Sequence, residues 1–175
     1  LICATMAAEG FKGPDAAFEG QWGFLQGYAP NSDEAKATDR LGSHWETLRL
    51  AVKPYPSCRY SHAAMDGLVA LSEVHDIKPD DVEAIEIGLP EMGRKIIGEP
   101  LEAKINPECI VDGQFSMPFC AAVVMREGQM GWDDYAKHIS DDETLALCRK
   151  IKTVPDDQAE AAFPANMSGS GKIKT

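Results

Sequence analysis

Two neighbouring segments of opposite periodicity constrain this chain most. From Ser57 or Arg59 to Val74, the apolar residues Ala64, Leu68, Leu71 and Val74 recur at helical spacing. A Lys78-Pro79-Asp80-Asp81 turn follows, and from Val82 to Leu89 the pattern switches to period two, with Ile85, Ile87 and Leu89 on one face. One hydrophobic stripe and one hydrophobic strand face must be buried against each other or against further elements of both kinds.

The rest of the chain supplies those elements without regular alternation. Ser116 is placed to cap a helix that carries Pro118 in its first turn, runs to about Arg126 and stops at Gly128. Ser140-Asp141-Asp142-Glu143 reads as a capping box opening a helix to about Lys150. Ile151–Val154 and Lys172–Thr175 read as strands, and so does Trp45–Lys53, where Leu48, Leu50 and Val52 share a face and Pro54-Tyr55-Pro56 ends the run. Residues 90 to 113 are broken by Gly98-Glu99-Pro100 and Asn106-Pro107 and give no clear element. Toward the start, Leu1–Glu9 reads as a helix stopped by Gly10. Asp15 could cap another that carries Phe18, Trp22, Phe24 and Leu25, and 30 to 40 reads as a polar loop. The class expected is α+β, with residues 1–44, all helix and loop, as the end of a separate all-α domain and 45–175 as an α+β domain.

Charge and cysteine content narrow the function. Seventeen Lys and Arg against 28 Asp and Glu give a net charge of −11, and no stretch is rich in basic residues, which argues against nucleic-acid binding. An anionic small molecule stays possible, because local cations in a pocket outweigh a distant field. No apolar run approaches the roughly 18 residues of a membrane helix. The five cysteines, Cys3, Cys58, Cys109, Cys120 and Cys148, form no C-x-x-C pair. That fits buried thiols in a reducing compartment better than a zinc knuckle or a disulfide framework.

The densest polar cluster is Lys53-Pro54-Tyr55-Pro56-Ser57-Cys58-Arg59-Tyr60-Ser61-His62, at a helix start. Helix N-termini attract anions, and Lys53, Arg59 and His62 would add to a carboxylate site. The same residues also fit a solvated lysine and arginine beside a histidine packed on its helix. Cys58 and His62 stand four apart, but no oxyanion hole or orienting group accompanies them, and Asp66 could orient the imidazole or be a surface charge. His44 precedes a strand, and His75 and His138 sit at helix ends, which are surface places. Gly169-Ser170-Gly171-Lys172 lacks the rest of a phosphate loop and reads as a hairpin turn, as does Asp112-Gly113.

The string from Lys53 to His62, continued by Ala63-Ala64-Met65-Asp66, resembles a signature of the MmgE/PrpD family. Gly10-Phe11-Lys12-Gly13-Pro14 with Phe18-Glu19-Gly20 and Gly23-Phe24 is similar to an earlier segment of that family, and Asp112-Gly113-Gln114-Phe115-Ser116-Met117-Pro118-Phe119 to a later one. The resemblance implies a cofactor-independent and metal-free lyase acting on a small polycarboxylate. Its step would be proton abstraction beside a carboxylate and loss of water, as in 2-methylcitrate dehydratase, with cis-aconitate-type decarboxylation or iminodisuccinate-type epimerisation as alternatives. It implies an all-helical domain plus an α+β lid, a cytoplasmic enzyme and a homodimer when complete. The resemblance makes Lys53 and His62 catalytic and Arg59, Ser57 and Phe119 substrate-binding. Phe119 stands where several members have a tyrosine, and Gly113 replaces a more usual alanine, a change expected to be harmless. Because the family's aspartate and principal histidines belong to the N-terminal half, this chain is expected to be a C-terminal fragment, silent by itself, with a bare apolar face on residues 1 to about 30. From a different class, a non-catalytic lid module that works only with a partner chain is also expected to fit.

Overall fold

Helix α7 (Met117–Glu127) sits at the centre of the core because its sequence is apolar all round. Every residue from Met117 to Met125 is buried. The Ser116 side chain accepts from the Phe119 amide at 3.0 Å, and Gly128, at φ +71°, stops the helix in a left-handed conformation that suits glycine. The computed structural model describes all 175 residues, which divide into two compact units, Leu1–Ala51 and Val52–Thr175.

In the second unit α7 packs on α3 (Arg59–His75), on α9 (Asp142–Cys148) and on a three-stranded mixed sheet. The strand order is β2 (Ile151–Pro155), β1 (Ala84–Leu89), β3 (Ser170–Lys174). β1 runs parallel to β2, with Ile85 opposite Ile151, and antiparallel to β3, with Ile85 opposite Ile173. The inner face of β1 carries Ile85, Ile87 and Leu89, all without exposed surface and in one buried cluster with Met65 and Leu68 of α3. Burying each such side chain contributes roughly 1.5–3 kcal/mol. The architecture is α+β. No helix is long and apolar enough to cross a membrane.

Between β1 and α7 the chain makes short turns: α4 (Glu91–Gly93), a π-helical turn (Arg94–Gly98), α5 (Leu101–Lys104) and α6 (Ile110–Gln114). Two short helices have no counterpart in the sequence pattern, α8 (Asp134–His138) and α10 (Asp157–Ala162). The cap of α9 falls one residue later than expected, on Asp141, which accepts from the Thr144 amide at 2.8 Å.

In the first unit, α1 (Ile2–Ala8) is followed by turns, and α2 (Phe24–Tyr28) begins only after Gly23. A side chain at Gly23 would lie 2.2 Å from the Glu19 carbonyl oxygen, so the tight turn, not a helix from Asp15, carries the chain here. The expected bare apolar face is present: Phe11, Phe18, Trp22, Phe24 and Tyr28 are all exposed. The expected strand at Trp45–Lys53 does not form. Glu46–Arg49 is a 3₁₀ turn, and Leu48, Leu50 and Val52 stand exposed. A period-two pattern makes a strand only where a neighbour offers a ladder, and the three strands of the sheet, β2, β1 and β3, do not include this segment.

Candidate functional site

The cluster forms where an irregular loop enters α3. Pro54 and Pro56 restrict the loop and contribute no amide donors. Cys58, extended at ψ 135°, precedes the helix, and no side chain caps it. Ser57 is buried, and its carbonyl oxygen collects two donors: Lys53 Nζ at 3.1 Å and His62 Nε2 at 3.3 Å. The Ser57 hydroxyl is taken up separately. Ser61 Oγ donates to the Cys58 carbonyl at 2.8 Å, leaving its oxygen to accept from Ser57 Oγ at 2.9 Å.

The proton on His62 is assigned by its partners. Arg59 NH1 lies 3.0 Å from His62 Nδ1, and a guanidinium can only donate. Nδ1 therefore accepts, and Nε2 carries the hydrogen that points to Ser57. His62 is buried, and this burial, aided by the charges of Arg59 and Lys53, holds its pKa below the usual histidine value. The Ser57 carbonyl and Asp66 pull the other way. The Tyr55 ring stands edge-on to the imidazole at 5.4 Å, and its hydroxyl donates to Asp66 Oδ1 at 2.6 Å. Burial first, then the Asp66 carboxylate, pushes the Tyr55 phenol up to about 12.

The structure thus brings Lys53, Ser57, Arg59 and His62 together around one carbonyl, with Lys53 and Arg59 exposed at its rim. It does not bring Phe119 to that surface. Phe119 has no exposed area, and its ring stacks on Tyr135 at 5.8 Å and 19°. Its place in the buried Met117–Met125 run of α7 explains this. Cys58 finds no base at His62, because both imidazole nitrogens already have partners in Arg59 and Ser57.

Behind the loop lie residues to which the sequence assigned no role. Gln114 Nε2 and the Tyr135 hydroxyl both donate to the Pro56 carbonyl, at 3.2 and 2.8 Å, and the Cys58 amide donates to the Gln114 carbonyl at 2.9 Å. Gln114 lies inside the Asp112–Phe119 motif, whereas Tyr135 carries no sequence signal beyond a three-residue spacing from Trp132.

His138 is a second departure. It is fully buried, not at the surface, with Nδ1 2.8 Å from Thr144 Oγ1 and Nε2 3.1 Å from Glu127 Oε1. The Asp141 cap draws Thr144 into place, and the α8 turn folds His138 in beside it. No three His, Cys, Asp or Glu side chains gather in an arrangement that could hold a metal ion.

Residues 55–175 match the MmgE/PrpD C-terminal domain. The chain belongs to the MmgE/PrpD family. The match covers the helix that carries Arg59 and His62, all three strands, and the buried α7, while Lys53 stands just ahead of it. No curated protein matches the chain significantly. The MmgE/PrpD family includes dehydratases and related lyases.

Proposed function

We propose that the Lys53–Arg59–His62 cluster is the cationic wall of an MmgE/PrpD-type lyase. The substrate is a small polycarboxylate, dehydrated after proton abstraction beside a carboxylate. One observation carries the reading. Lys53 and His62 meet on the Ser57 carbonyl and Arg59 is bonded to the other face of His62, so two exposed cations flank one imidazole at an uncapped helix start. Lys53 has three N–H donors and Arg59 five, and each has given only one to the cluster. A carboxylate arriving at Arg59 competes for the N–H now given to His62. Once that contact is released, Nδ1 regains its lone pair and accepts the substrate proton. The electron pair left on carbon delocalises into the adjacent carboxylate, where Lys53 stabilises the charge. The double bond then forms as the neighbouring hydroxyl leaves, taking a proton from Lys53 or another donor to depart as water.

Decarboxylation and epimerisation share the polycarboxylate clamp and differ in which bond to carbon breaks and what replaces it. A second reading, a lid module that lends cations but no base, draws support from the contact that occupies His62 Nδ1.

The test pairs this chain's residues with the family's helical domain in an active preparation. Lys53→Ala is expected to lower kcat/KM roughly a hundredfold, as loss of a preorganised charge contact does. A folded variant within threefold of wild type would overturn the assignment. His62→Gln separates the two readings: a base loses kcat by a similar factor, and a lid module does not.

A further inference from the structure

The Ser57 carbonyl can organise Lys53 and His62 only if the loop that presents it is itself fixed. The loop cannot fix itself through every backbone group, since Pro54 and Pro56 have no amide hydrogen. The bonds that hold it come from elsewhere. The carbonyl just before Ser57 accepts from Gln114 of α6 and Tyr135 of α8, and the amide just after it donates to the Gln114 backbone. Ser57 is therefore flanked on both sides by bonds to distant elements, and its own oxygen is left for the two catalytic candidates. Tyr135 has little freedom to shift. It is fully buried, its ring stacked on Phe119 and met edge-on by Trp132 at 5.9 Å and 66°.

We propose that Tyr135 and Gln114 are positioning residues that set the geometry of Lys53 and His62 through the Pro56 carbonyl. The proposal rests on the reading of the cluster as a carboxylate wall, which it deepens. It also gives Phe119 a role, as the platform under Tyr135.

Two measurements test it. In the 175-residue chain, nitrogen-15 spectra of the imidazoles report the His62 tautomer and its hydrogen bond directly. The wild type is expected to show one neutral form protonated on Nε2. Tyr135→Phe with Gln114→Leu removes both donors to Pro56, and His62 is expected to become a mixture of tautomers with its Nε2 hydrogen bond weakened. His138, held by Thr144 and Glu127, should not move. Gln114→Glu keeps the side-chain length but exchanges the donor for an acceptor, so it should fail to rescue. In the active preparation the double variant is expected to lose about tenfold or more in kcat/KM, carried by kcat, as a small misplacement of catalytic groups does.

A folded double variant with wild-type His62 signals overturns the proposal. Should the double variant not fold, Tyr135→Phe alone, which removes one oxygen and keeps the ring, must shift the His62 signals, and unchanged signals overturn it equally. If His62 moves while Lys53→Ala retains full activity, the clamp stands and the carboxylate wall fails. If Lys53→Ala abolishes activity while His62 stays unmoved, the wall stands and the clamp fails.

Discussion

Gly113→Ala changes a single hydrogen to a methyl group at the position where the family resemblance expects alanine and where glycine was expected to be a harmless replacement. The backbone says otherwise. A Cβ built at Gly113 would lie 3.0 Å from Tyr135 Cε1 and 3.1 Å from both Tyr135 Cδ1 and Phe119 Cε1. Both rings are fully buried and stacked on one another, so neither can tilt into solvent. Opening a few tenths of an ångström in such a stack is overpacking, which costs about 1–3 kcal/mol. Against this, alanine within α6 gains roughly 0.5–1 kcal/mol over glycine in backbone entropy. The net expectation is a destabilisation of about 1 kcal/mol. With a denaturant slope of about 1–3 kcal/mol/M, the urea midpoint should fall by roughly half a molar. Urea unfolding followed by circular dichroism measures this. Phe119→Leu in the same background makes room for the methyl group and should recover part of the loss in a double-mutant cycle. A midpoint for Gly113→Ala equal to or above wild type would refute the packing argument.

Three further expectations concern a histidine and the cysteines. Because burial holds His62 below its unfolded value of 6.5, the unfolded chain binds more protons between those two values. Stability should therefore rise with pH through that window, be fully present above about 6.5, and be lost as pH falls; His62→Gln should flatten the slope, and a variant that keeps the wild-type slope would contradict the assignment. Burial pushes the Cys120 and Cys148 thiols up to about 12, so a thiol reagent at about pH 8 should label exposed Cys3 and Cys109 while leaving Cys120 and Cys148 untouched until denaturant is added. Labelling of Cys120 in the folded chain as fast as Cys109 would count against the buried core. Alkylation of Cys58 should not track loss of activity, since His62 has no free nitrogen to activate it; stoichiometric modification that does track activity would reverse that.

The fold was legible in the sequence wherever periodicity and punctuation agreed. α3, β1, α7, α9 and β2 all have an apolar pattern bounded by proline, glycine or an acidic residue, while β3 shows only Ile173 between two lysines. The strand expected at Trp45–Lys53 had the pattern without a partner, and partnership is decided by the rest of the sheet. α8 and α10, at five and six residues, are too short to show a period; the Tyr135 hydroxyl and the Asp156 cap hold them in place of an amphipathic stripe. The cluster at Lys53–His62 was visible as a crowd of polar residues at a helix start. What organises it was not, because the Pro56 and Ser57 carbonyls are backbone atoms that every residue possesses. Phe119 misled for a related reason: a motif position gives no indication of which side of α7 faces the core when all of them do.

The sheet order has a kinetic consequence. β1 is the central strand, yet both of its partners come late in the chain, after α7, α8 and α9. Helices α3 and α7 can meet early, but the first strand to be made must wait, both edges unpaired, until Ile151–Pro155 and then Ser170–Lys174 arrive. Contacts so distant in sequence close slowly, and an apolar strand with open edges is a template for the wrong neighbour in the meantime. Glu86, in the middle of β1, is well suited to that interval. On its own it charges an otherwise apolar strand and discourages self-association, and in the finished sheet it stands between Lys152 and Lys172, each contributed by one of the late strands. One carboxylate guards the strand while it waits and then matches the registers that complete it.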